Sequence, residues 1–351
     1  MDYNNNYGYG FPEGNPYPPK KNLITKMKEY FLEDRYIVLS AVATVIGLCI
    51  VVYQFLGMLY AFIIRAVPGL MDNYLNNYML STVIEMFYTV LCVGGPFFIS
   101  YIFMRKIKLL DEPLSFGKPY SFSEAILLVV AGLGLCFIGN IVTGYFASMM
   151  SSFGIEFYSY NAALSVSQEL PKNAFEFCCM VMHTAVMPAI FEEFAFRGVI
   201  MQPLRKYGDF FAIFVSAVLF GLVHGNMTQM PFAIIAGFAL GYSSIVTGSL
   251  WTGVVIHFLN NFISLMNAFA KVYLPESRFM IFSLITVYGL IAVGVVAGAM
   301  YVYHKPEFLH LRFGKYGRHK KSRLAGIMVF IPSMAIALVW MLINIAGDMY
   351  I

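Results

Sequence analysis

The sequence predicts an all-α, polytopic membrane protein, a bundle of about eight or nine membrane segments with a polar site inside it. Three observations carry that prediction. Of 351 residues, 59% are hydrophobic and only 12% are charged, against about 25% charged in soluble domains. The apolar residues are gathered into runs, the clearest being Tyr36 to Ile64, 29 residues without a formal charge, where about 20 suffice to cross the hydrocarbon. Ionisable side chains nevertheless recur inside later runs, where each costs roughly 2.5–3.5 kcal/mol to insert and therefore points to function.

Residues 1–19 are rich in Asn, Tyr, Gly and Pro, a composition that buries too little apolar surface to order itself and reads as a flexible polar tail. Lys20, Lys21, Lys26 and Lys28 precede the first span, which argues for a cytoplasmic N-terminus. That span is too long for a signal peptide and lacks a small-residue cleavage pattern, so no cleaved targeting sequence is expected. Further runs near 79–104, 123–149, 174–200, 210–225, 230–247, 250–270, 279–303 and 324–346 bring the count to nine. If each crosses, Arg105, Lys106, Lys108, Lys118, Arg205, Lys206 and the 304–323 loop share one side, while the opposite loops 67–78 and 150–173 contain only Lys172. Charge bias and span count thus agree on a multi-pass cell-membrane protein with a cytoplasmic N-terminus and the C-terminus on the other side.

The 304–323 loop holds seven Lys/Arg against Glu307 alone; beside two spans it reads as a topology determinant touching anionic lipid. Nucleic-acid binding has no support, and oligomeric state is not legible. Cys49, Cys92, Cys136, Cys178 and Cys179 all fall in apolar runs, where thiols act as small hydrophobes, and no disulfide framework or CxxC metal clip is suggested. The chain divides into N-terminal membrane helices over 20–173, a core over 174–270 that carries the polar motifs, and C-terminal membrane helices over 271–351.

Three motifs lie in that core. In FEEFAFRG, Glu192, Glu193 and Arg197 sit on one segment just after Pro188, which can kink or restart the helix. Positions four apart share a helical face, so Glu193 can pair with Arg197 and leave Glu192 directed elsewhere. In FGLVHG, Phe220 and His224 are likewise four apart. A polar connection around Tyr207, Gly208 and Asp209 should fold these segments as an antiparallel hairpin. Glu192 and His224, each sixteen residues from Gly208, then face each other at similar depth. Ala217, Gly221 and Gly225 form a small-residue ridge that permits close helix approach. In HFLNN, His257 is followed by Asn260 and Asn261 at spacings that both reach the same face.

The ordered set EExxxR, FxxxH and HxxxN over roughly 185–265 resembles the CAAX-protease and bacteriocin-processing family of intramembrane endopeptidases, which includes the type II CAAX prenyl endopeptidases. The resemblance implies that Glu192 activates water together with His224, that Glu193 and Arg197 support them, and that His257 and Asn261 supply oxyanion donors, favouring Asn261 over Asn260. A carboxylate that deprotonates water and donors aimed at the developing oxyanion form a sufficient set for peptide hydrolysis; no GxSxG elbow is present. The implied substrate is a membrane-associated protein or peptide. Glu192, His224 and His257 could also form a three-ligand zinc site with one open position, although HExxH is absent and the resemblance favours a metal-free glutamate mechanism without a cofactor.

Two other readings stay open: a transporter using the buried Glu, His and Arg residues, and a noncatalytic, immunity-type binding protein. One geometric difficulty remains as well. His257 lies only a few residues into its helix, leaving a depth mismatch with Glu192 on the order of 10 Å that tilt, an incomplete crossing by the hairpin or a deep turn before Trp251 must remove. His183 is expected to hydrogen-bond between helices, Glu85 and Glu176 to reach the interface, and His304, His310 and His319 to belong to the basic loop.

Overall fold

A computed structural model describes residues 35–110, 116–157, 171–307, 311 and 321–350. The 1–19 tail, the lysines of 20–28 and most of the 304–323 loop, including His310 and His319, lie outside the described residues. The described chain is helical apart from one pair of two-residue strands, as the bilayer demands, because a helix satisfies its backbone hydrogen bonds internally where no water is available.

In chain order the helices are α1 (Arg35–Ala66), α2 (Leu70–Asn76), α3 (Tyr78–Lys106), α4 (Phe122–Ser152), α5 (Ala174–Tyr207), α6 (Asp209–Leu222), α7 (Met230–Thr247), α8 (Leu250–Tyr273), α9 (Glu276–His304), α10 (Lys321–Phe330) and α11 (Pro332–Gly347). Strand β1 (Glu156–Phe157) pairs antiparallel with β2 (Met349–Tyr350). Seven helices are long and apolar enough to cross a membrane, and the α10–α11 pair, bent by 77° around Ile331 and Pro332, makes an eighth. The nine-crossing expectation is therefore corrected at the 210–225 run: α6 has 14 residues and spans only about 21 Å at 1.5 Å per residue, short of the roughly 30 Å hydrocarbon.

The chain reverses between α5 and α6 where the sequence expects it. Gly208 takes φ +118°, which L side chains rarely adopt, and Arg205 Nε closes the turn on Asp209 Oδ1 at 2.7 Å. Beyond it α6 and α7 pack backbone to backbone, because Gly237 stands against the Cα of Ala217 and Gly221 against Ile234 and the Met230 carbonyl. Two members of the small-residue ridge serve this crossing; Gly225 lies beyond the end of α6 in a left-handed turn at φ +66°.

The buried core runs through α1, α5, α6, α7 and α11, whereas α9 is peripheral and presents Ile281, Ile285, Tyr288 and Val296 outward, where lipid tails replace water as solvent. Helix α9 is held by α4 at a glycine pair: a methyl on Gly134 would stand 2.8 Å from Gly294 Cα, and one on Gly294 2.7 Å from Gly134 Cα. Since packing rather than hydrophobic burial drives association within the bilayer, Gly294→Val should lower stability by about 1–3 kcal/mol through overpacking, read as a lower Tm in detergent. Gly289→Val, at a position with open space, should leave Tm unchanged.

Candidate active site

Helix α5 is broken on both sides of the paired glutamates. Two widened, π-type stretches, Met182–Val186 and Phe194–Ile200, flank a regular segment, Met187–Glu193, and such insertions often mark functional sites. One cause is legible: Pro188 has no N–H, so the carbonyl of Thr184 loses its helical donor. Asn261 Nδ2 fills that vacancy from α8 at 3.3 Å, and Asn260 Nδ2 donates to Asn261 Oδ1 at 3.1 Å. Proline thus fixes the orientation of the asparagine amide and leaves its second hydrogen available.

Glu193 and Arg197 form the pairing the spacing predicts, with Nη1 to Oε1 at 2.9 Å and both side chains 0% exposed. Arg197 also donates from Nη2 to the Gly237 carbonyl of α7 at 3.3 Å, and its guanidinium lies over the Phe220 ring, 4.4 Å from the centroid. Glu193 Oε1 accepts a second hydrogen bond from His257 Nδ1 at 3.1 Å, so three helices besides α5 close on this pair. The carboxylate occupies the space that a Cβ on Gly253 would need: that atom would stand 2.8 Å from Glu193 Oε2 and 2.7 Å from Ser244 Oγ.

Glu192 points away from the pair, a quarter exposed, into a cavity of about 410 Å³ also lined by Phe220, His224, His257, Asn260 and Asn261. Its Oε2 lies 3.7 Å from His257 Nε2. That proximity closes the depth mismatch expected from the sequence. His224 Nδ1 lies 2.7 Å from the Phe220 carbonyl; a carbonyl only accepts, so Nδ1 carries the hydrogen and Nε2 of the neutral ring carries the lone pair. Phe220 meets His224 and His257 edge to face at 5.0 and 5.9 Å between ring centres. It holds both imidazoles around one aromatic face. On the other side of Glu192, a smaller cavity of about 70 Å³ is lined by Tyr53, Phe97, Phe196 and His224, so the carboxylate stands between two chambers.

All seven sequence-predicted positions, Glu192, Glu193, Arg197, Phe220, His224, His257 and Asn261, thus converge. Among the described residues no group of three or more His, Cys, Asp or Glu side chains is placed to hold an ion. His183 faces Glu85 at 3.9 Å rather than the cavity. Glu85, partly exposed, accepts hydrogen bonds from Tyr60 and Tyr74. Glu176 stays at a helix end, where it takes part in the N-terminal cap of α5 with Asn173.

Residues that no motif revealed complete the site. Asn226 donates to the His224 carbonyl at 2.9 Å and accepts from Gln229 N–H at 2.9 Å; an asparagine three residues before a glutamine and a helical run is an N-cap signal that could have found it. Gly253 and Ser244 carry no such signal. Removing one partner of a buried ion pair leaves an uncompensated charge at a cost of about 3–5 kcal/mol. Arg197→Met should therefore lower Tm sharply, and adding Glu193→Gln should recover part of the loss, both measured by thermal unfolding in detergent.

Residues 174–263 match the family model described as type II CAAX prenyl endopeptidase Rce1-like. YdiL of Bacillus subtilis (strain 168), provisionally named a membrane peptidase, is 27% identical over 157 residues, a stretch covering 44% of this chain and 62% of that relative. No solved structure matches. The matched segment contains every residue of the three motifs at the spacings described above, and over that segment the chain is similar to the type II CAAX prenyl endopeptidases.

Proposed function

We propose that this protein is an intramembrane endopeptidase that hydrolyses a peptide bond of a membrane-associated protein or peptide, with Glu192 as general base. The observation that carries this reading is the division of labour between adjacent glutamates. Glu193 is buried and its Oε1 accepts from both Arg197 and His257, while Glu192 faces the cavity beside His224 and His257. A structural ion cluster needs only the first of these.

In this mechanism the substrate carbonyl enters the larger cavity and a water lies between Glu192 and His224. The lone pair on His224 Nε2 accepts one water hydrogen and orients the molecule; Glu192 takes the other as the oxygen attacks the carbonyl carbon. The oxyanion accepts from Asn261 and from His257. Because Glu193 takes the Nδ1 hydrogen of His257, donation from Nε2 requires the ring to carry both hydrogens. Glu192 then returns its proton to the leaving nitrogen as the C–N bond breaks, giving an amine and a carboxylic acid that keeps the second water hydrogen until it ionises to the amine or solvent. No step runs through a metal. A cell-membrane location with a cytoplasmic N-terminus, and anionic lipid at the 304–323 loop, complete the reading.

Glu192→Gln should abolish most cleavage, by about 10²–10⁴-fold, with Tm unchanged; comparing membrane-protein termini in cells carrying wild-type or variant protein identifies the substrate. Full activity in the variant would remove Glu192 from the mechanism. Wild-type cleavage should persist in strong chelator after metal depletion is confirmed by elemental analysis; loss that zinc restores would select the metal form.

A further inference from the structure

The turn that carries His224 is fastened from outside the family-matched segment, by the end of the described chain. Helix α6 ends at Leu222, and the chain leaves it through Val223, His224 and the left-handed Gly225. Within the turn, Asn226 binds the His224 carbonyl and the Gln229 amide, but both partners move with the turn and do not anchor it to the bundle. An anchor comes from the end of α11 and the residues that follow it. Asp348, only 8% exposed, accepts a hydrogen bond from Met227 N–H at 2.8 Å. Four residues earlier, Asn344 packs where a Cβ on Gly225 would meet it at 3.4 Å. The next two residues, Met349 and Tyr350, pair with Phe157 and Glu156, which ties the same strap to the far end of α4, where Phe157 stacks on Phe146 at 6.2 Å.

Thr228 and Gln229 line the cavity together with His224, so one face of the turn is active-site wall and the other is held by the strap. A carboxylate accepting from a backbone amide is a charge-assisted bond, stronger than a neutral one. Few other charged groups are buried among the described residues.

We infer that Asp348 is a positioning residue for His224: the segment 344–350 clasps the 224–229 turn and so sets where the His224 ring stands relative to Glu192. This inference rests on the hydrolase reading of that site. The turn's mobility can be measured without any activity.

The test uses the full-length protein in detergent or nanodiscs, with hydrogen–deuterium exchange and cleavage kinetics on wild type, Asp348→Ala, Asp348→Asn and Asp348→Glu. In Asp348→Ala, exchange across 223–230 should accelerate at least about tenfold while peptides from the middle of α6 and α7 keep wild-type rates. Cleavage should lose about ten- to a hundredfold in kcat with little change in KM, because orientation of the base pair is disturbed and the substrate cavity is not. Asp348→Asn keeps an acceptor oxygen and should recover most of both readouts. If the alanine variant does not fold, Asp348→Glu, which keeps the charge but shifts the turn, should show the kcat loss with near-normal exchange. Unchanged exchange across 223–230 in Asp348→Ala overturns the clasp. So does acceleration spread evenly over the bundle, or wild-type kcat in both the alanine and glutamate variants. Absence of hydrolysis in the wild type itself defeats the endopeptidase reading, while the exchange data still decide the clasp.

Discussion

At the centre of the bundle a guanidinium and a carboxylate are sealed from solvent, Arg197 against Glu193 at 2.9 Å. Taking both charges out of water costs several kcal/mol per ion, and their attraction repays that only with good geometry and further hydrogen bonds. The surrounding helices are shaped to supply these. A carbonyl of α7 and an aromatic ring of α6 receive the guanidinium, an imidazole of α8 donates to the carboxylate, and Gly253 clears the volume the carboxylate occupies. Sliding any of these helices along its neighbours would strand a charge at membrane depth. The pair therefore acts as a register pin, and Glu192, its immediate neighbour, inherits a fixed position at the cavity wall.

The irregular course of α5 belongs to the same economy. Backbone groups freed within the hydrocarbon must find partners, and here the partners are site residues. The carbonyl that Pro188 releases is taken by Asn261, and the Phe220 carbonyl binds the imidazole of His224. Local disorder of the hydrogen-bond ladder thus orients two of the side chains that face the cavity. A third, His257, is oriented by the buried pair itself.

Helical spacing made much of this legible in the sequence. The i,i+4 separation predicts the Glu193–Arg197 pair and the shared face of Phe220 and His224, and the Gly208 turn predicts that Glu192 and His224 meet. Periodicity cannot say how far a segment travels through the bilayer, which is why the 210–225 run reads as a span although the 14-residue α6 is shorter than the hydrocarbon. Nor can it see contacts made across the whole chain. Asp348 lies 121 positions from Met227, and nothing around it resembles a motif. Gly253 reads as one more small residue in a membrane helix until a carboxylate is found where its side chain would be. Glu85 sits near a segment end, yet the tyrosines that receive it come from elements whose docking only tertiary structure defines.

Binding of a peptide analogue with a tetrahedral phosphinate at the scissile position, followed by structure determination, bears most directly on the division between the two glutamates. One phosphinate oxygen should lie between Glu192 and His224, and the other about 2.7–3.1 Å from His257 Nε2 and Asn261 Nδ2, with the Glu193–Arg197 pair undisturbed. An analogue held outside the cavity, or one that draws Glu193 away from Arg197 to reach the phosphinate, would contradict the account.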